Sequence, residues 1–189
     1  MKVYEYESYE EYKKIQIDAN IKKLKNVWCS PATLKQINTL IPDANSILCH
    51  GARNGSEVRW FKDLYPQAEV IGTDISYTAN DFPDMVEWDF HEVNDEWVGK
   101  FDIVYSNSFD HSYDPEKCLT TWVGQLSENG VLCVELMVGV DNASSAMDPL
   151  QINRSEFNEI IDKLGYEETD IFYTQARHGN SRTLVCKRK

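Results

Sequence analysis

The stretch Ile47-Leu48-Cys49-His50-Gly51-Ala52-Arg53-Asn54-Gly55-Ser56 joins a short apolar strand, predicted at Ser46–His50, to a helix predicted at Glu57–Tyr65. Gly51 permits a tight turn and lets a ligand approach the backbone closely. Gly55 lets the helix begin against the sheet, where its free N–H groups can receive an anion. In α/β folds the turn after the first strand lies at the ligand-binding crevice. The turn is therefore a candidate binding site, although a plain strand-to-helix connection has the same pattern.

Outward from this turn, apolar strands alternate with amphipathic helices, which indicates a mainly parallel sheet covered on both faces. The next strands are predicted at Glu69–Ile75, Met85–Phe90, Phe101–Asn107 and Val131–Gly139. The last two strand-like segments, Asp170–Ala176 and Arg182–Lys187, are joined only by residues 177–181. So short a connection cannot make a parallel crossover, so these two strands must be antiparallel. The sequence thus predicts a doubly wound α/β fold with one reversed strand.

The N-terminal part, residues 8–41, is predicted to be helical and to pack on the core of a single domain spanning 1–189. Ser8 and Glu11 form a capping-box signature, and Ser30-Pro31 begins a second helix. Four apolar residues at helical spacing predict the face that the first helix buries: Ile17, Ile21, Leu24 and Trp28.

Composition excludes several classes of protein. The chain of 189 residues is 42% hydrophobic, as globular proteins are. It has no apolar run of the roughly 20 residues that a membrane span needs, and its N-terminus lacks the apolar core of a signal peptide, so we expect a cytoplasmic protein. The net charge of −12 disfavours a nucleic-acid substrate, because phosphate binding needs a basic surface. The sequence makes no prediction of oligomeric state.

The cysteines and histidines do not form a metal-binding pattern. The 5 cysteines include Cys49, Cys133 and Cys186, which fall inside predicted strands, and no CxxC pair occurs. We therefore expect buried, reduced thiols. The 4 histidines are too dispersed for a zinc site, and no metal is predicted.

Two acidic residues stand at strand ends. Asp74 ends the second strand of the alternating series, 74 − 55 = 19 residues after Gly55. A carboxylate there can accept hydrogen bonds from both hydroxyls of an adenosine ribose. Asp89 closes the third strand, where it can accept from an adenine amino group while Phe90 covers the ring. On its own, Asp89 would be as well explained by a polar surface.

This arrangement, from about Trp28 to the C-terminus, resembles the class I S-adenosylmethionine-dependent methyltransferases. The likeness rests on Asp74, on the Asp89-Phe90 pair, on Phe101-Asp102-Ile103-Val104 at the fourth strand, and on the closing hairpin. It is greatest to the small-molecule branch, whose fourth strand leads into an acidic residue followed by histidine, here within Ser106-Asn107-Ser108-Phe109-Asp110-His111. The family implies a seven-stranded sheet in the order 3-2-1-4-5-7-6 with the seventh strand reversed, in agreement with the short terminal connection.

The resemblance implies that S-adenosylmethionine is the cofactor and that a sugar, metabolite or biosynthetic intermediate accepts the methyl group. The cofactor-binding residues it implies are His50, Gly51, Ala52, Arg53, Asn54, Gly55, Asp74, Ile75, Asp89, Phe90, Ser106 and Asn107. Two positions depart from the family, which usually carries an acid in place of Cys49 and a glycine in place of Arg53. Without the acid, one contact to the amino group of the cofactor is lost. Arg53 either meets the methionine carboxylate or turns to solvent.

Catalysis is assigned to His111 as general base or acceptor-orienting residue, helped by Asp110, because imidazole titrates near neutrality. The alternative is that His111 caps a helix or packs beneath the loop. The acceptor side of the site is predicted to be formed by Ser106–Tyr113 and Gly139–Asn153. The second segment is rich in small and acidic residues, as a mobile lid or acceptor loop would be, but an ordinary surface connection could have the same composition. Tyr9 or Tyr12 of the first helix could reach over the cofactor, although simple helix packing explains them as well.

Two other functions fit a glycine turn followed by an acid. An NAD-dependent oxidoreductase would carry G-x-G-x-x-G from Gly51, but the sequence has Arg53 and Ser56 where that motif requires glycine. A non-catalytic S-adenosylmethionine-binding or regulatory protein would keep the binding residues and lack the transfer reaction.

Overall fold

The computed structural model describes residues 1–137, 144–176 and 179–189. Its helices are α1 (Tyr9–Lys23), α2 (Pro31–Leu40), α3 (Ser56–Leu64), α4 (Pro115–Gly124) and α5 (Arg154–Lys163). Its strands are β1 (Lys2–Val3), β2 (Ser46–His50), β3 (Glu69–Asp74), β4 (Met85–Glu87), β5 (Phe101–Ser106), β6 (Leu126–Met137), β7 (Leu150–Gln151), β8 (Tyr166–Ala176) and β9 (Gly179–Arg188). Among the described residues, no helix is both long and apolar enough to cross a membrane.

Seven strands form one sheet in the order β4-β3-β2-β5-β6-β9-β8. The pairs β2–β3, β2–β5, β3–β4 and β5–β6 are parallel, whereas β9 is antiparallel to both β6 and β8. When only the strands of this sheet are numbered, starting from β2, the order is 3-2-1-4-5-7-6, so the predicted topology and the reversed seventh strand are confirmed. β1 and β7 pair separately as a two-stranded sheet.

Helices cover both faces of the sheet, as predicted. Successive strand residues point to opposite sides, and the apolar ones form a separate cluster with helices on each side. Leu48 of β2 packs with Trp122 of α4 and Phe157 of α5 in one apolar cluster. Ile47, its neighbour in sequence, belongs to a second cluster with Phe61 of α3. All five cysteines are buried and free, which confirms the prediction of unpaired core thiols.

α1 differs from its predicted packing. Its N-cap is confirmed, since Ser8 Oγ accepts from Glu11 N at 3.1 Å. The predicted apolar face is wrong: α1 ends at Lys23, and Ile21 is 42% exposed. The residues it buries are mostly polar: Tyr12, Gln16, Ala19 and Asn20. α1 therefore lies over a polar crevice instead of an apolar sheet face.

Several strand limits also differ from those predicted. β4 stops at Glu87, so Asp89 and Phe90 lie in the turn that follows the strand and not in the strand itself. β6 begins at Leu126, with an irregularity in its pairing to β5 between Phe101 and Ile103. The predicted end of this strand, Gly139, lies outside the described residues.

Candidate functional site

Two adjoining cavities open at the carboxyl ends of β2, β3 and β5. The inner cavity is about 40 Å³ and the outer cavity about 290 Å³. Predicted site residues line both: the inner cavity is lined by Gly51, Arg53, Asp74, Ile75, Asp89, Phe90 and His111, and the outer by Gly51, Ala52, Arg53, Asn54, Asn107, Asp110 and His111. The structure thus brings most of the predicted set into one crevice.

His50, Gly55 and Ser106 are the predicted residues that line neither cavity. The His50 side chain is 1% exposed, with Nδ1 2.8 Å from Thr73 Oγ1 and Nε2 2.8 Å from Gln125 Oε1. Burial lowers its pKa to about 4, so the ring is neutral. His50 shares a strand face with Leu48 and points into the core, away from the crevice. Its side chain is therefore part of the scaffold.

Gly55 and Ser106 line neither cavity, but they fix the backbone of the segments that form the crevice. Gly55 has φ +66° at the N-cap of α3, a left-handed conformation that glycine adopts without strain. Ser106 Oγ donates to His50 O at 3.0 Å and accepts from Ser108 N at 3.0 Å. These bonds fix the course of the chain as it leaves β5.

Asp74, at the end of β3, is 8% exposed and already bonded. Its Oδ1 accepts from Asn20 Nδ2 at 2.7 Å and from Ser76 N at 3.0 Å, and its Oδ2 accepts from Arg53 N at 3.0 Å. Burial raises the pKa of this carboxyl, while the bonds from Ser76 and Arg53 oppose the rise. Because an ionised carboxylate can accept about four hydrogen bonds, Oδ2 keeps capacity for a ligand.

Asp89 is held by a histidine that the sequence reasoning missed. Asp89 Oδ1 accepts from His91 N at 2.9 Å and lies 2.7 Å from His91 Nδ1, while Oδ2 accepts from Tyr9 OH at 2.9 Å. Burial alone would raise the pKa of Asp89, but the bonds from His91 outweigh it and the pKa lies below its usual value. The ring of Phe90 lines the inner cavity beside this carboxylate.

α1 covers the inner cavity with its polar face. Tyr12 lines the cavity and its OH donates to His111 O at 3.2 Å. Gln16 and Asn20 follow at intervals of four on the same face, and both line the cavity. Of the two tyrosines considered, Tyr12 reaches into the site, whereas Tyr9 lines neither cavity and contacts the site through its bond to Asp89. Gln16 and Asn20 could not be predicted as site residues, because the periodicity of apolar residues carries no signal for a buried polar face.

Arg53 explains why the resembled family has glycine at its position. Its φ is +44°, in the left-handed region that disfavours side chains. The guanidinium lies 4.9 Å from the centroid of the Trp28 ring, and Nη1 is 3.5 Å from Asn26 O. Arg53 Nε is buried and meets no hydrogen-bond acceptor among the described residues. Arg53 thus borders both cavities, in a backbone conformation that costs on the order of 1–3 kcal/mol.

His111 lies in a short 3-10 turn, Phe109–His111, after β5. Its Nδ1 is 2.9 Å from Met147 O and 2.9 Å from Gln16 Oε1. A carbonyl oxygen only accepts, so Nδ1 carries the hydrogen and, in the neutral ring, the lone pair is at Nε2. Nε2 lies 4.0 Å from Asp110 Oδ1 and 3.9 Å from Asp148 Oδ1. A proton arriving at Nε2 would be stabilised by both carboxylates.

Asp110 and Asp148 also repel each other. Burial raises the pKa of Asp110, the nearby His111 opposes this rise, and Asp148 adds to it. The potential ligand atoms of Asp110, His111 and Asp148 lie within 4.8 Å of one another, close enough for a metal ion, although such acidic groups are common without one.

The predicted acceptor segment 139–153 is only partly described. Residues 139–143, with Asp141 and Asn142, lie outside the described residues. Ser145 and Asp148 form a turn in which Ser145 N donates to Asp148 O at 3.0 Å. Tyr6 OH donates to Ala146 O at 2.8 Å, and Gln16 Nε2 to Met147 O at 3.2 Å. The described part of the segment therefore packs against the N-terminal region beside His111.

Comparison with known proteins gives similarity at the level of structure. No protein-family model and no curated protein sequence matches the chain. A solved 1,6-didemethyltoxoflavin-N1-methyltransferase from Burkholderia thailandensis, with 1,6-didemethyltoxoflavin and S-adenosylhomocysteine bound, superposes with a TM-score of 0.78 at 12% identity, over 98% of this chain and 92% of that one.

Two further solved structures are similar. The magnesium protoporphyrin IX methyltransferase of Synechocystis PCC 6803, with S-adenosylhomocysteine bound, gives a TM-score of 0.70 at 15% identity, over 94% of this chain and 100% of that one. The cyclase SpnF gives 0.68 at 10% identity, over 98% and 97%. The chain therefore has the class I S-adenosylmethionine-dependent methyltransferase fold. At such low identity the likeness shows the fold, and function has to be argued from the site.

Proposed function

We propose that the protein is an S-adenosylmethionine-dependent methyltransferase acting on a small-molecule acceptor. The observation that carries the proposal is the crevice itself, in which the Gly51 turn, the Asp74 carboxylate and the Asp89-Phe90 pair meet at the ends of neighbouring parallel strands. A glycine turn, a ribose acceptor and an adenine site in this order suit an adenosine. The methyltransferase neighbours carry their cofactor product on the same fold.

In this proposal the adenosine occupies the inner cavity. The ribose hydroxyls donate to Asp74, the adenine amino group donates to Asp89, and Phe90 covers the ring. Asn20 donates to Asp74 and Tyr9 donates to Asp89, so cofactor binding requires Asn20 and Tyr9 to yield or share the carboxylates that they occupy.

The outer cavity, of about 290 Å³, receives the reactive end of the cofactor and the acceptor. Its size is at the lower end of ordinary small-molecule sites. Methyl transfer needs the lone pair of the acceptor in line with the methyl–sulfur bond, and a site that fixes this geometry removes much of the entropic barrier. The net charge of −12 disfavours nucleic acid as the acceptor.

His111 is the proposed general base when the acceptor is an alcohol. Met147 O holds Nδ1 protonated, so Nε2 is free to take the proton of a hydroxyl as the methyl group arrives. Asp110 and Asp148 stabilise the resulting imidazolium. A neutral amine acceptor would need positioning and no base.

The function is tested by supplying S-adenosylmethionine with a labelled methyl group together with a cell extract that contains small molecules, protein and nucleic acid. The expected result is labelled small molecules that disappear when the enzyme is omitted, identified by mass spectrometry. Binding of the cofactor without transfer to any acceptor would favour a non-catalytic role, and labelled protein or nucleic acid in place of small molecules would refute the acceptor class.

A further inference from the structure

A buried carboxyl group in the outer cavity has no cationic partner. Glu57, in the first turn of α3, lines this cavity and is 6% exposed. Its nearest recorded side-chain donor is Asn107 Nδ2, 3.5 Å from Oε1, and no cation of the described residues lies within ion-pair distance of it. A buried carboxylate is costly unless it is paired, and burial raises the pKa of Glu57 to about 7.

Arg53 offers the opposite charge in the same cavity and is also incompletely paired. Its Nε lacks an acceptor among the described residues, and its Nη1 makes one long bond, to Asn26 O. Two underpaired groups of opposite charge, facing one cavity but not joined as an ion pair, are complementary to a ligand that carries both charges. An α-amino acid is such a ligand.

Glu57 also lies near the residue that stands in place of the missing acid. Cys49, which stands where the resembled family has an acid, is 1% exposed, and burial together with the nearby Glu57 raises the pKa of its thiol. The carboxyl of Glu57 therefore lies close enough to Cys49 to act on it electrostatically. α3 supplies from its first turn the negative charge that β2 lacks.

We propose that Glu57 and Arg53 form a clamp for the amino-acid end of the cofactor, with the Glu57 carboxylate accepting from the α-ammonium group and the Arg53 guanidinium donating to the α-carboxylate. This inference rests on the proposed function. The paired bonds of a guanidinium to a carboxylate are among the stronger hydrogen bonds in proteins. They account for an arginine in a left-handed position where glycine would be free of strain.

The first test compares two ligands that differ only at the clamp. S-adenosylhomocysteine carries the amino-acid end, whereas 5′-methylthioadenosine keeps the adenosine and thioether and lacks it. In calorimetry, Glu57→Gln is expected to lower the affinity for S-adenosylhomocysteine on the order of 10- to 100-fold, the range for a hydrogen bond to a charged group. The affinity for 5′-methylthioadenosine is expected to stay unchanged. Equal loss for both ligands, or no loss for either, would overturn the clamp.

The matched control is Glu135→Gln. Glu135 is also 6% exposed and lies on the neighbouring β6, but Tyr105 OH donates to its Oε2 at 2.8 Å. We expect its substitution to leave the affinity for both ligands nearly unchanged. If Glu135→Gln lowers the affinity for S-adenosylhomocysteine as much as Glu57→Gln does, the effect comes from the general charge of the site and the assignment to Glu57 is overturned.

Arg53→Gly tests the second half of the clamp without the risk of misfolding, because glycine suits the positive φ at this position. The variant is expected to be at least as stable as the parent and to lose affinity selectively for S-adenosylhomocysteine. Unchanged affinity would contradict the role of the guanidinium.

Proton release gives a readout that a merely structural glutamate would not move. Glu57 titrates under the influence of burial, of Arg53 and Arg59, which lower its pKa, and of Glu135, which raises it. Three further buried titratable groups respond to Glu57 and so lie near it: Cys29, Cys49 and Tyr105. An ammonium group bound beside Glu57 lowers its pKa, so about half a proton should leave near pH 7 on S-adenosylhomocysteine binding.

This release is measured by calorimetry in buffers of different ionisation enthalpy. It should be absent from Glu57→Gln and from the 5′-methylthioadenosine titration. The same release in Glu57→Gln would refute the clamp. If the parent protein binds neither adenosine ligand, the proposed function itself is wrong, and that outcome is distinct from a failure of the clamp alone.

Discussion

Replacing Asp74 by alanine removes the group on which the placement of the adenosine depends. The carboxylate accepts from Asn20 Nδ2, Ser76 N and Arg53 N. In the complex it should accept from the ribose hydroxyls as well. Hydrogen bonds to a charged group contribute about 1.5–3 kcal/mol, so Asp74→Ala should lower the affinity for S-adenosylhomocysteine by a factor of about 10 to 150.

The same change also affects stability. The substitution leaves the three protein donors without their acceptor, so we expect the free energy of unfolding to fall. The fall should be limited to roughly 1–3 kcal/mol, because water can enter the space and partly replace the carboxylate. Native domains are typically stable by about 5–15 kcal/mol, so a loss of this size is expected to leave the variant folded. Circular dichroism and a denaturant titration establish this before any affinity is compared.

The assay is calorimetry at a temperature where both proteins are fully folded, with two controls. Asn20→Ala removes one bond to Asp74 and leaves the carboxylate in place, so its affinity should change far less. Asp81→Ala removes an exposed carboxylate in the 3-10 turn Tyr77–Asp81, which follows β3 in the chain, and should change nothing. Unchanged affinity in folded Asp74→Ala would show that the adenosine does not bind at β3, and the placement of the cofactor would have to be abandoned.

Three further predictions address the catalytic residue, the turn and the buried acid. His111→Ala should lower turnover on the order of 10²-fold for an alcohol acceptor while cofactor affinity stays constant; near-normal turnover in a folded variant would return His111 to the scaffold. Gly51→Ala should destabilise the protein by at least about 1–3 kcal/mol in denaturant unfolding, because φ is +69° and a Cβ would lie 2.5 Å from Ser108 Cβ, whereas Gly124→Ala, with open space around it, should be neutral or stabilising. Glu57 has a pKa of about 7 in the native protein and 4.5 as its ordinary value, so the native state binds more protons between these pH values and stability falls as pH rises through them. Glu57→Gln should therefore be more stable than the parent at about pH 8, by up to roughly 3 kcal/mol, and an unchanged pH dependence of unfolding would contradict the burial of an ionisable acid there.

The parallel pairing and the reversed last strand could be predicted because they depend on local features, whereas the strand order was implied by the resemblance to the methyltransferase family. Alternating apolar strands and helices indicate parallel pairing, and the short connection around residues 177–181 forces the last pair to be antiparallel. Asp74 and Asp89 were identifiable because Asp74 ends a strand and Asp89 comes just after one, and parallel strands end at one edge of the sheet. Neither inference needs knowledge of tertiary contacts.

The failures arise where tertiary packing decides. α1 was expected to bury apolar residues, but it lies over a crevice and buries Gln16 and Asn20, which periodicity of hydrophobic residues cannot show. His50 adjoins the glycine turn in sequence, yet the pleat of β2 turns its side chain into the core. Glu57 has the appearance of an ordinary helix-surface acid, and only the packing of α3 against the outer cavity shows that it is buried.

The most direct measurement is a calorimetric titration of the purified protein with S-adenosylmethionine, S-adenosylhomocysteine and NAD. In the proposed function Asp74 accepts from a ribose, but Arg53 and Ser56 stand in place of the glycines that a pyrophosphate requires. We expect saturable binding of both sulfur-containing nucleosides at one site and no binding of NAD. Tight binding of NAD with no response to S-adenosylmethionine would contradict the proposed function.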